Sequence, residues 1–130
     1  MADSLVTLSS PRGTLVFKET AATSTLEQNV FNKVGAVLYG IKVDATGNPG
    51  EDVFLAIYEN DQANASGITV GTHHPVTIVK CAAGSTVEVV VPCGIGQAND
   101  QYFHACVKTT AGTAGTTSPS GTVSFTLLGE

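Results

Sequence analysis

Between residues 38 and 60 the chain reads LYGIKVDATGNPGEDVFLAIYEN, two apolar runs around a turn that holds Asp44, Asn48, Glu51 and Asp52. Four oxygen-bearing side chains at that spacing can be a cation cage, a pair of catalytic carboxylates or ordinary turn chemistry. Calcium takes about six to eight oxygens, and ENDQ at 59–62 adds donors if the two loops converge. The spacing matches no D-x-[DN]-x-[DN]-G loop, however, and Asp, Asn, Gly and Pro are what a tight connection demands on backbone grounds. Turn chemistry at a hairpin tip is the expected role, with metal binding by the Asp44–Asp52 loop left open.

The nitrogen and sulfur ligands give a second constellation. His73 and His74 precede Pro75, and His104 stands two residues from Cys106, so a tetrahedral site with Cys81 or Cys93 can be drawn. The tight CxxC or HxxxH spacing that would single out zinc is missing. A strand cysteine is usually a small buried hydrophobe, and adjacent histidines before a proline usually sit in a solvated loop. Three cysteines are an odd count, so no disulfide framework is expected, and at most one internal bridge among Cys81, Cys93 and Cys106.

Nucleophilic catalysis needs a Ser or Cys beside a base and an orienting group. No G-x-S-x-G elbow occurs, and GIGQAN at 94–99 has two glycines with no helix behind them to cradle a phosphate. Asn64-Ala65-Ser66 is formally a glycosylation acceptor, relevant only to a eukaryotic secretory route. No catalytic residue, cofactor site or metal site is assigned, and the chain is expected not to be an enzyme.

The elements that would position these groups follow from composition and periodicity. At 130 residues and 13.3 kDa one core suffices, since a chain of this mass hides roughly two-thirds of its unfolded surface. Eleven acidic against 6 basic residues give a net charge of -5 with no basic run, which argues against nucleic acid as a partner. Charged residues are 13% of the chain, about half the usual share. Seventeen Thr and 16 Val supply much of the rest, and branching at Cβ favours strands over helices. A surface this poor in Lys and Glu is weakly protected against edge pairing, which hints at assembly. No apolar run approaches the roughly 20 residues that span a bilayer, and MADSLVTLSS lacks the pattern of a signal segment, so no membrane partner is expected.

Residues 1–13 show little periodicity and read as an N-terminal arm, with 14–130 as one β-sandwich domain. TLVFK at 14–18 is a strand. ETAATSTLEQNVFNKV at 19–34 has a Thr25/Gln28 pair like a capping box but apolar spacing for barely two turns, so it reads as a loop or an extra strand. From Ala36 the period is two, with Val37, Tyr39, Ile41 and Val43 on one face. VFLAIYE at 53–59 alternates likewise and carries Phe54 and Tyr58 on its second face, as a central strand would. GITVGT at 67–72, VTIVK at 76–80, TVEVVVP at 86–92, YFHACVKTT at 102–110 and GTVSFTLL at 121–128 continue the rhythm. CAAGS at 81–85 reads as a short hairpin loop and AGTAGTTSPSG at 111–121 as a flexible connection.

Seven or eight such strands between Gly/Pro turns predict an all-β, two-layer antiparallel β-sandwich, jelly-roll-like or immunoglobulin-like. Its expected inner faces are Val37, Tyr39, Ile41, Val53, Leu55, Ile57, Val87, Val89, Val91, Phe103, Val107, Val123, Phe125 and Leu127.

Residues 36–128 resemble small virion proteins of tailed bacteriophages, of the head decoration (cement) type. The resemblance lies in the strand, Asn-bearing turn and strand of LYGIKVDATGNPGEDVFLAIYEN, in the V-G-T-x-x-P step at Val70–Pro75, and in the A-G-S/T loop at Ala83–Thr86. The P-x-G-I/L element at Pro92–Ile95 and the closing strand GTVSFTLL also fit. The cysteines in KCAAGS and VPCGI and the histidine pair depart from that pattern. The resemblance implies a capsid decoration protein located on the virion, at the capsid surface. It would be an oligomer, expected to be a homotrimer, that bridges subunits of the major capsid protein, with Leu5, Val6, Leu8, Pro11 and Arg12 as the contact arm and a tail location as the variant. The alternative is a tail-associated or secreted β-sandwich module that recognises a host-surface glycan, disfavoured by a chain with no Trp, 3 Tyr and 5 Phe.

Overall fold

The computed structural model describes residues 14–96 and 100–130. Seven strands form: β1 (Leu15–Glu19), β2 (Leu38–Gly47), β3 (Val53–Asn60), β4 (Thr77–Cys81), β5 (Thr86–Ile95), β6 (Tyr102–Lys108) and β7 (Thr122–Gly129). They build two antiparallel sheets, in the orders β1-β7-β2-β5 and β4-β3-β6. This is the two-layer sandwich that the alternation predicts, at the lower of the two strand counts.

The eighth candidate, GITVGT, is a turn. Gly67 and Gly71 take φ of 93° and 94°, a region that favours glycine. The amides of Thr72 and His73 fold back onto the Thr69 carbonyl. That coil pulls Ile68 and Val70 down onto Ala56, Tyr58 and Cys106.

Topology also corrects two of the connections. Only β3 and β4 are both consecutive and bonded to each other. CAAGS links β4 of the smaller sheet to β5 of the larger one, and ATGNPG carries the chain from β2 to β3 in the same way, so both bridge the layers and neither is a hairpin tip.

Nine of the fourteen expected inner residues are buried: Ile41, Val53, Leu55, Ile57, Phe103, Val107, Val123, Phe125 and Leu127. Val37 and Tyr39 are only half-buried because the register of β2 slips between Leu38 and Gly40 against both neighbours. Such a bulge inverts the alternation. Leu38 therefore shares the core with Ile41, three residues on. Val87, Val89 and Val91 stay half-exposed because β5 is an edge strand.

The segment 19–34 forms no helix. It runs along β6, where Glu27 exchanges both backbone hydrogen bonds with Ala105, the Val30 amide donates to the Phe103 carbonyl, and the Val107 amide donates to the Thr23 carbonyl. A hydrogen-bonded backbone satisfies that edge without a regular strand. Phe31 then reaches the core, its ring perpendicular to Phe103 with centroids 6.0 Å apart.

Candidate functional site

The acidic turn is spent on hydrogen bonds within itself and to the neighbouring connections. Asn48 is buried; its Nδ2 donates to the Glu51 carbonyl at 3.1 Å and its Oδ1 accepts from the Gly121 amide at 2.7 Å. Glu51 Oε2 accepts from the amide and hydroxyl of Ser120 at 2.8 and 2.9 Å, and Asp52 Oδ1 from the Ala83 amide at 2.9 Å. Asp44 Oδ1 accepts from the Thr46 hydroxyl and amide. These bonds hold all three carboxyls below their usual range: Asp44 chiefly through the Thr46 hydroxyl, Glu51 through the Ser120 amide, and Asp52 through the Ala83 amide with Lys80 adding. The turn clamps the β2–β3, β4–β5 and β6–β7 connections to one another.

The His and Cys candidates do not converge. Among the described residues no group of three or more His, Cys, Asp or Glu is placed to hold a metal. Cys81 and Cys106 are buried free thiols, and Cys93 is exposed. His73 Nδ1 accepts from the Thr69 amide, and His74 Nδ1 pairs with the Thr113 hydroxyl.

His104 has a different setting, on the outer face of the smaller sheet. There Tyr58, His104, Cys106 and Lys108 are all buried beneath the chain's own connections. His104 Nδ1 accepts from the Asn29 amide at 2.9 Å, which leaves the ring proton on Nε2 to be donated to Asn60 Oδ1 at 2.8 Å. Burial lowers the His104 pKa, with a weaker opposing pull from the Gln62 backbone. A depressed pKa gives stability that is fully present above the unfolded value of 6.5 and is lost as pH falls through the folded value. Denaturation midpoints compared near pH 7 and pH 5 should therefore fall in the native protein and fall less in His104→Gln. Equal slopes would contradict the assignment.

Burial pushes the Cys106 thiol up to about 11 and, with Cys106 adding, the Tyr58 hydroxyl up to about 12. The Tyr58 hydroxyl is buried with no hydrogen-bond partner. Tyr58→Phe should leave stability unchanged or raise it by about 1 kcal/mol, because it removes a desolvated group that nothing compensates. A loss above about 1 kcal/mol in urea would mean that the hydroxyl is satisfied after all.

No connection among the described residues covers the outer face of the larger sheet. Register aligns Val16, Leu128, Gly40 and Val90 in one row across all four strands, with Val16 67% and Val90 53% exposed. Gly40 leaves a trough between Leu128 and Val90 because it has no side chain, and a Cβ there would lie 3.3 Å from that of Leu128. The next row is Lys18, Thr126, Lys42 and Glu88, with Lys42 and Glu88 4.0 Å apart. Beyond it Ser124, Asp44 and Thr86 make a polar end.

Sequence reading named the strands that carry these rows but not the rows. The alternation in β1 shows that Val16 and Lys18 share a face; which residues of β7, β2 and β5 stand beside them is a matter of register. The arm residues Leu5, Val6, Leu8, Pro11 and Arg12 lie outside the described residues, as does part of GIGQAN.

Fold and site together define, among the described residues, a seven-strand β-sandwich whose smaller sheet has most of its outer face covered by connections and whose larger sheet has none of it covered. No family model matches the chain, and neither curated proteins nor solved structures give a match.

Proposed function

We propose that the protein is a structural component of a bacteriophage virion, a decoration or cement protein that binds the outer surface of the head and bridges major capsid protein subunits. The observation that supports this reading is the asymmetry of the sandwich. The smaller sheet buries most of its outer face on β3 and β6 under the chain's own connections and leaves Ile78 and Lys80 of β4 exposed, whereas the larger sheet presents an apolar row across all four strands with an ionic row beside it. Flat contact surfaces of that composition suit docking on another protein.

The glycan-binding alternative has less support. The exposed large apolar residues among those described are Val16, Val34, Val76, Ile78 and Val90. Sugar recognition generally uses aromatic faces, and none is among them.

The test is retention on purified bacteriophage heads that lack the protein. The native chain should co-sediment with the shells and raise the temperature at which they open. Leu128→Glu, in the middle of the open face, and deletion of residues 1–13 should each weaken retention. No binding to any shell, or a reproducible glycan-array signal, would overturn the proposal.

A further inference from the structure

Among the described residues, the two sides of the larger sheet end in edge strands of complementary character. Among the described residues, β1 bonds only to β7, and β5 only to β2. The apolar residues that pack on the core yet stay partly exposed are Leu15, Phe17, Val87, Val89 and Ile95, and every one lies on β1 or β5. Incomplete burial in the larger sheet is thus concentrated on its two edges. β1 is short and β5 carries Pro92 near its end, which leaves Leu15–Lys18 and Thr86–Val91 as the stretches able to pair. The β5 run from Thr86 to Val91 has one charge, Glu88, and the β1 run has Lys18 on its outer face and Glu19 at its end.

We infer that β1 of one copy pairs antiparallel with β5 of a second copy, Val16 beside Val90 and Lys18 beside Glu88, so that the open sheet continues from subunit to subunit. Strand direction permits it. β1, β7, β2 and β5 alternate in direction, so a following β1 placed outside β5 is antiparallel to it.

Side-chain period and charge then select the register. Keeping outward residues outward allows only shifts of two. In the register that continues the existing rows, Phe17 meets Val89 on the inner face, the apolar row runs from Val90 into Val16, and Glu88 lies between Lys42 of its own chain and Lys18 of the next. A shift of two either way puts Lys18 against Thr86 or Val90 and leaves no opposite-charge pair. Glu88 is free to accept this second partner, since its side chain is 70% exposed in the pairing with Lys42.

The contact is heterologous, a β1 edge against a β5 edge. It repeats from copy to copy, giving a ring where the rotation closes and a filament where it does not, and a closed ring leaves neither edge unpaired. The pairing does not depend on the head-binding proposal: association in solution reads the first, and retention on shells reads the second.

The experiment is a charge exchange read by sedimentation velocity. Lys18 and Glu88 are both exposed, so the variants should keep the native circular dichroism spectrum. The native chain should sediment as an oligomer. Lys18→Glu and Glu88→Lys should each weaken association by about tenfold or more, as like charges face each other across the new strand pair. The double variant Lys18→Glu/Glu88→Lys should regain it. A monomeric native chain, single variants that associate as well as the native chain, or a double variant no better than the singles would each overturn the inference.

Discussion

Replacing Lys108 by methionine should lower the free energy of unfolding by about 2–4 kcal/mol. Lys108 is fully buried at the end of β6, opposite Phe54 on β3. Its Nζ donates to the carbonyls of Thr113 and Ala114, both at 2.9 Å. The connection from β6 to β7 wraps around this group and closes on itself where the Thr109 amide donates to the Thr117 carbonyl. Methionine fills much of the same volume but donates nothing, so two carbonyls lose their partner, at about 1–3 kcal/mol for each that stays buried. The loss should appear in the urea midpoint and as faster amide exchange in residues 109–117 than elsewhere. A midpoint shift worth under about 1 kcal/mol would show that water replaces the amine without cost.

Asn48→Ala should cost a comparable amount, about 2–4 kcal/mol. The side chain is 1% exposed, donates to Glu51, and accepts from Gly121 and, at 3.5 Å, from the Ser120 hydroxyl. Alanine orphans the Gly121 amide and the Glu51 carbonyl together and frees the end of the 111–121 connection from the β2–β3 turn. Glu51→Ala removes the exposed bonds to Ser120 and a weaker interaction with the Asn48 side chain, and is the control: its effect should be clearly smaller. Equal losses would mean that the clamp depends on the Glu51 carboxylate and not on the buried amide.

These two residues also show where sequence reading stops. Asn48 in ATGNPG was legible as a turn residue, because Asn before Pro-Gly has few other uses. Its bond to Gly121, 73 positions away, was not, since nothing in a turn's composition says which distant connection it meets. Lys108 ends an alternating strand where a solvated charge would be expected, and only the fold of residues 109–117 back over that face buries it.

The layered β architecture was fixed by local chemistry. Branched residues in alternation, cut by glycine and proline, leave few other folds, and the seven strands lie within a few residues of the expected limits, β2 and β5 running furthest past them, to Gly47 and Ile95. Tertiary structure decided what alternation cannot encode. A one-residue bulge in β2 exchanged Leu38 for Val37 and Tyr39 in the core, because a period of two reverses at any insertion. The choice of sheet for each strand turned supposed hairpin tips into bridges between layers. Cross-strand register assembled Val16, Leu128, Gly40 and Val90 into one row from four separate parts of the sequence, because pairing between strands, and not the order of residues along one of them, sets which side chains stand together.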